Sequence, residues 1–325
     1  MKAMVIKAYG GPEQLVMKEI PDPQPQAGEA LVRIRAFGIN RAETYMRRGV
    51  WGDVAQVSGI ECVGEIIEDT TGQSNPGQVV AAIMGGMGRT INGSYAEYVT
   101  LPASNVFPLE TELDWADLAA IPESYATAWS CLHDNLSLKE GDTILIRGGT
   151  SALGQAAINI AANIENVTVL STTRNLERLA LLETLGCQTS LIDQPELSQE
   201  VRGLYPDGID AVLDIVGNTT LKDSLKMVRK GGSVCNAGFL GGGDPMSFNP
   251  LTDMPSSVNL NFFASFMFGA KDFPLTDIPM QTIVDRVTQG RYKAKPAHIF
   301  PFEAVGKAHE LMESNSAAGK IVVKL

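Results

Sequence analysis

Residues 143–164 read TILIRGGTSALGQAAINIAANI, and this stretch decides the fold. It opens on a short apolar run rich in β-branched residues, Thr143–Ile146, and turns through Gly148, Gly149, Thr150 and Ser151. An apolar helix is expected from Ala152 to Ile164. A buried strand, a glycine turn and a helix N-terminus together suit a diphosphate, because the first helical N–H groups lack intrahelical partners and the helix dipole favours negative charge. Gly148 and Gly149 would let the backbone approach the phosphates, and Gly154 would let the helix pack on the sheet. The offsets of a G-x-G-x-x-G fingerprint fall on Gly149, Ser151 and Gly154, so serine takes the middle place. The candidate diphosphate contacts are Gly149, Thr150, Ser151, Ala152 and Leu153. A strand–glycine–helix turn also serves plain packing, so the residues around it must decide.

From about Pro122 onward, helices and strands alternate. A helix is expected at Ser124–Leu132. After the first strand, further strands are expected at Val167–Ser171, Ser190–Ile192, Ile209–Asp214, Ser233–Ala237 and Asn259–Phe263. Helices are expected at Leu176–Leu185 and Leu221–Val228. That alternation is the pattern of a doubly wound parallel sheet. The end of the second strand reads Leu170-Ser171-Thr172-Thr173-Arg174-Asn175 and lacks the acid that would bind a ribose 2′-hydroxyl. Hydroxyls at Thr172 and Thr173 followed by Arg174 suit a 2′-phosphate, hence NADPH. Val216 and Gly217 follow the fourth strand, and Gly238 and Phe239 follow the fifth, at the edge where such sheets bind ligands.

Before Pro122 the chain reads as short strands between glycine and proline turns, with a short helix at Asn40–Arg48. That is the pattern of a compact, barrel-like β domain. The last segment carries a helix at Thr276–Gln289, a strand near Ile299–Phe302, a helix at Phe302–Met312 and a strand at Lys320–Leu325. The expected division is residues 1–122 with 266–325 in the β-rich domain, and 123–265 in the nucleotide domain.

The 325 residues are 44% hydrophobic and 19% charged, with a net charge of −11. Acidity without a basic run argues against nucleic acid. No apolar stretch of about 20 residues is present to span a membrane, and the start does not read as a signal peptide. A cytoplasmic protein is expected. Cys62, Cys131, Cys187 and Cys235 are scattered and read as small core residues. His133, His298 and His309 have no metal-ligand spacing and read as surface or interface residues. No G-x-S-x-G nucleophile motif occurs.

Several motifs together resemble the medium-chain dehydrogenase/reductase superfamily, in its zinc-independent quinone oxidoreductase branch. They are Tyr9–Glu13, Gly38–Glu43, Gly59–Glu65, Gly93–Val99, Ile121–Trp129, the glycine turn and Gly319–Val322. The resemblance covers nearly the whole chain. It implies a GroES-like catalytic domain beside a Rossmann domain, and a homodimer. Zinc members carry His where this chain has Ile60, and a metal-binding Cys near Asn40. The segment Val80–Gly93 is too short for their structural zinc lobe. The resemblance therefore implies zinc-free hydride transfer from NADPH to a small molecule, a quinone or an activated alkene such as an enone. It places Asn40 by the nicotinamide and substrate and Thr127 near the nicotinamide, and it adds Phe263 and Lys320 to the cofactor-binding residues. Related enoyl reductases donate a proton from a Tyr about eleven residues after that Asn. Here the position holds Trp51, whose indole is not a practical acid; Tyr45 lies closer to the motif and reads equally as a substitute donor or as a core residue. An enoyl thioester reductase and a non-catalytic NADPH-binding protein stay open as alternatives.

Overall fold

The computed structural model describes every residue from Met1 to Leu325. In chain order the strands are β1 (Lys2–Ile6), β2 (Leu15–Glu19), β3 (Glu29–Ile39), β4 (Glu61–Asp69), β5 (Val79–Ile83), β6 (Tyr98–Pro102), β7 (Val106–Pro108), β8 (Thr143–Arg147), β9 (Thr168–Thr173), β10 (Thr189–Ile192), β11 (Ile209–Asp214), β12 (Val228–Asn236), β13 (Asn259–Phe262), β14 (His298–Pro301) and β15 (Ile321–Lys324). The chain divides into two compact units. The first comprises Met1–Ala126, Ser265–Gly290 and Ala294–Leu325; the second comprises Thr127–Ala264 with Arg291–Lys293.

The first unit is the GroES-like one. Its main sheet has the order β14-β15-β3-β4-β5-β7, with β6 also on β3, and β1 and β2 form a separate hairpin. β3 is its spine. Ala30, Val32 and Ile34 face the core while Arg33 faces solvent, which is the period of a half-buried strand. From Ala36 to Ile39 every residue is buried. Register matters most at the end of β3. Ile39 pairs with Ile321 of β15, which sets Asn40 and Lys320 just beyond the same rung.

Phe37 stacks on Tyr95 with ring centroids 4.7 Å apart, and the Tyr95 hydroxyl meets His309 Nε2 at 2.8 Å. His309 is fully buried on the helix Val305–Glu313, which corrects the surface or interface reading. One bond to tyrosine satisfies one ring nitrogen of the buried imidazole, while Nδ1 is buried without a partner. Burial pushes its pKa down to about 3, and the nearby Arg47 charge adds to the effect. Its stabilising contribution is complete above the ordinary value of 6.5 and is lost as pH falls through that range toward 3, because the unfolded chain takes the proton first. Between pH 7 and pH 5 this group should cost roughly 2 kcal/mol of stability. Urea unfolding at both pH values measures the loss. His309→Gln should remove about that share of the difference, and an unchanged difference would refute the assignment.

The second unit is a Rossmann-type sheet in the order β10-β9-β8-β11-β12-β13, with every pair parallel. Successive strands move outward from β8 to β10, then return to β11 on the other side of β8. The winding therefore reverses between β8 and β11, and a ligand crevice forms outside the carboxyl ends at such a point. Residues 291–293 join this unit through two bonds: the Lys293 N–H donates to Asn159 Oδ1 at 3.0 Å, and Asn163 Nδ2 donates to the Arg291 carbonyl at 3.3 Å.

Several elements differ from the sequence reading. The helix after β8 stops at Ala161 rather than Ile164. The expected helix 221–228 ends at Leu225, because Val228 already pairs with Ile209 as the first residue of β12. The helix expected from Thr276 is α-helical only over Met280–Thr288. Short helices at Trp115–Ala119, capped by Asp114, and at Leu197–Leu204 were not expected from the sequence. The four cysteines are free and buried, and burial pushes the Cys62 thiol well up, so it is an inert core residue. No helix is long and apolar enough to cross a membrane.

Candidate functional site

In the second unit, the turn after β8 is built around Thr172 at the end of β9. The Gly148 N–H donates to Thr172 Oγ1 at 3.0 Å, and the Gly149 N–H donates to the Thr172 carbonyl at 3.0 Å. Those two donors are therefore spent inside the protein. A Cβ on Gly149 would lie 1.9 Å from Ser171 Oγ, so packing on β9 requires that glycine, not approach to a phosphate. Gly148 has φ +92° and only ordinary contacts around a Cβ, so its backbone conformation is what requires glycine. A Cβ on Gly154 would meet the Gly148 carbonyl at 2.5 Å, as expected of a helix pressed against the turn.

Ser151 is the N-cap. Its Oγ accepts from the Gly154 N–H at 3.0 Å and donates to the Gly148 carbonyl at 2.8 Å. Serine in the middle place thus closes the turn on itself. The N–H groups of Thr150, Ala152 and Leu153 find no acceptor in the protein. These three orphan donors stand at the point where the sheet's winding reverses, on a helix N-terminus.

The hydroxyl cluster of β9 is not what the sequence suggested. Thr172 is fully buried, and its Oγ1 also donates to Asp193 Oδ2 at 2.9 Å. Thr173 is buried, and its Oγ1 accepts from the Asn175 N–H at 3.2 Å. Arg174 alone is exposed, and it forms no ion pair.

Beneath this corner lies a network invisible as a motif. Arg147, the last residue of β8, is buried. Its Nε reaches both Asp193 oxygens at 3.2 and 3.1 Å, its Nη2 reaches Asp193 Oδ1 at 2.9 Å, and its Nη1 reaches Asp223 Oδ2 at 2.9 Å. Further donors go to Ser224 Oγ and the Thr220 and Gln194 carbonyls. Burial works against the charge, yet the bonds and charge of Asp193, with Asp214 and Asp223 behind, hold the guanidinium above its ordinary pKa. Buried Asp214 accepts from the N–H groups of Val216 and Gly217 and from Thr220 and Ser224. Burial raises its pKa against those donors.

The next turns complete this unit's edge. A Cβ on Gly217 would meet the Gly238 carbonyl at 2.5 Å. Asn236 Nδ2 ties the ends of β11 and β12 by donating to the Asp214 and Gly238 carbonyls at 3.0 and 2.9 Å. Phe239 is exposed with its ring 5.9 Å from Phe262, whereas Phe263 is buried.

In the first unit, Asn40 caps the helix Arg41–Arg47 and stands in a charged cluster. Its Nδ2 donates to Glu61 Oε1 at 2.8 Å and its Oδ1 accepts from Lys320 Nζ at 2.7 Å, which fixes the amide orientation. Lys320 Nζ is ion-paired with Glu61 and donates to Ser124 Oγ at 3.1 Å. The Glu123 N–H donates to Glu61 Oε2 at 2.9 Å. Glu43 accepts from the Asn40 N–H at 2.7 Å. Burial and then the Glu61 charge push Glu43 up to about 8, against the pull of Lys320. Gly38 makes room for all this, since a Cβ there would sit 2.3 Å from Glu61 and 2.4 Å from Lys320. Lys320, expected among the cofactor-binding residues, is thus committed to a buried ion pair beside Asn40. Thr127, three residues beyond Ser124 on the helix Pro122–Ser130, is buried and is the first residue of the second unit. Tyr45 is half-buried and tilts against Trp51 with ring centroids 5.9 Å apart, and Trp51 is exposed.

Sequence reasoning missed Arg147, Asp193, Glu43 and Glu61 as site-building residues. The available signal was a charged residue inside an apolar strand or motif, because such groups are rarely buried unless paired.

Family models match the chain in two places: an alcohol dehydrogenase GroES-like domain over residues 26–111, and a zinc-binding dehydrogenase over residues 189–323. A quinone oxidoreductase from Lama guanicoe is 27% identical over all of this chain and 98% of its own length. A solved NAD-dependent alcohol dehydrogenase is 26% identical with a TM-score of 0.84, covering both chains completely. A solved 2-haloacrylate reductase is 25% identical with a TM-score of 0.85, covering this chain completely and 99% of its own. With both domains matched and the whole length shared, the chain belongs to the medium-chain dehydrogenase/reductase superfamily and is a quinone oxidoreductase-like oxidoreductase.

Proposed function

We propose that this protein transfers hydride from NADPH to a quinone or an activated alkene without zinc. The observation that carries the dinucleotide reading is the set of orphan N–H groups on Thr150, Ala152 and Leu153 at the reversal of the parallel sheet. Those donors and the helix dipole fit a diphosphate. Bound there, the nicotinamide would supply the hydride. Gly217, Gly238 and Phe239 along the sheet edge would hold it, and the family resemblance assigns Asn40 and Thr127 to the nicotinamide end.

The choice of NADPH rests on Arg174, exposed and without a protein partner at the end of β9. Asp193 lies beside that strand end, its N–H donating to the Thr173 carbonyl, but Arg147 neutralises its carboxylate and Thr172 bonds to it. It is thereby kept from a ribose hydroxyl and from repelling a 2′-phosphate. Arg174→Ala should weaken NADPH by about tenfold or more, the scale of a lost charged hydrogen bond, and leave NADH within about twofold. Fluorescence titration of both dinucleotides measures this. Equal loss for both would assign Arg174 to packing.

The zinc-free reading rests on donor chemistry. Ile60 stands where zinc members carry His and Asn40 near where they carry Cys; isoleucine offers no donor, and the Asn40 amide is held by Lys320 and Glu61. A quinone suits such a site, because hydride addition gives a stabilised anion that solvent protonates. Reduction of an activated alkene needs a proton at carbon, and the Tyr45 hydroxyl is the group here with the chemistry to supply it.

A further inference from the structure

Arg89 is exposed, forms no ion pair and donates to no protein acceptor, yet it is held in place. Its guanidinium carbon lies 4.7 Å from the Phe266 ring centroid and 5.7 Å from that of Trp51. Two ring faces hold the cation while leaving its N–H groups unspent.

The loop beneath it is tightly hydrogen-bonded. Met84, Gly85, Gly86 and Gly88 all have positive φ, and the N–H groups of Arg89, Thr90 and Ile91 converge on the Gly86 carbonyl at 3.0, 2.9 and 3.1 Å. Asn105 is buried, and its amide donates to the Ile83 carbonyl before this loop and to the Phe268 carbonyl after Phe266, both at 3.0 Å. Gly85 and Gly269 both press on it; a Cβ on either would lie 2.9 or 2.2 Å from Asn105. One buried amide thus ties together the two loops that carry the cation and one of its aromatic walls. Trp51 is joined to the Asn40 helix through Tyr45.

We propose that Arg89, positioned by Trp51, Phe266 and Asn105, is a specificity-determining residue for acceptors that are planar and carry an anionic substituent such as a carboxylate. The parts of the Trp51 and Phe266 rings that the guanidinium leaves exposed receive the planar body, and the guanidinium edge receives the anion. This rests on the acceptor-reductase reading above, so the test has an arm independent of turnover.

Kinetics with 1,2-naphthoquinone and its 4-sulfonate, in wild type and Arg89→Met, form the first arm. The wild type should favour the sulfonate in KM by about tenfold, as a charge-assisted contact allows, and the variant should bring the ratio near one. A ratio unmoved by the substitution would overturn the proposal. Calorimetry with naphthalene-2-sulfonate and the neutral naphthalene-2-sulfonamide forms the second arm. The anion should bind more tightly to the wild type and lose that advantage in Arg89→Met. Equal binding of the two would also overturn it. Preferential anion binding without turnover of either quinone would uphold the Arg89 site and sink the functional reading instead.

Discussion

Arg147→Met should cost the protein about 3–5 kcal/mol of stability, the scale for removing one partner of a buried ion pair. The substitution is close in length and fills the space of the stem. What it removes is the fork that reaches Asp193 and Asp223 together with Ser224 and two carbonyls. Asp193 and Asp223 would be left partly buried without their cation, and Asp214, already raised by burial, would lose a charge that holds it down. Arg147→Lys should recover only part of the loss, because an ammonium cannot span both carboxylates in the guanidinium's geometry. The midpoint of urea unfolding reads both effects. A loss below about 1 kcal/mol would mean the network behaves like a surface pair.

The second large effect is expected at Lys320. Lys320→Met leaves Glu61 buried beside Glu43 with no counter-charge, at a cost again of about 3–5 kcal/mol. It also removes the donor that sets the Asn40 amide. Misplacement of a positioning group by about 1 Å costs on the order of 100-fold in rate, so kcat/KM should fall by about that factor. The double variant Lys320→Met with Glu61→Met separates the two consequences. It buries no lone charge and should regain most of the stability, while the Asn40 amide stays unpinned and the rate stays low. Recovery of rate along with stability would show that Lys320 and Glu61 serve the fold alone.

The fold was legible for a definite reason. The apolar run Thr143–Ile146, the glycine turn and Gly154 are local chemistry, and the structure places strand, turn and helix where that chemistry puts them. β3 was legible by its alternation, and β11 by its apolar run. Elements that depend on distant partners were not. Val228 reads as helix by its neighbours and becomes strand because Ile209 pairs with it.

The site was half legible. Ser151 looked like a damaged glycine position, and the structure gives it a capping role. Of the expected diphosphate contacts Gly149, Thr150, Ser151, Ala152 and Leu153, Gly149 has its N–H taken by the Thr172 carbonyl and Ser151 by the Gly148 carbonyl, leaving Thr150, Ala152 and Leu153 as donors. Thr172 and Thr173 looked like phosphate ligands, and both hydroxyls are spent inside the protein. Partners far apart in sequence, such as Lys320 with Glu61 and Arg147 with Asp193, are set by sheet register and strand order. No single stretch of the chain encodes that information.

The central claim is zinc-free hydride transfer from NADPH. Its most direct test is NADPH oxidation by 1,2-naphthoquinone, followed by absorbance, before and after dialysis of the protein against EDTA. One NADPH should be consumed per quinone reduced, at a rate the chelator leaves unchanged and with NADPH preferred to NADH. A rate abolished by the chelator and restored by zinc, or no NADPH oxidation at all, would contradict it.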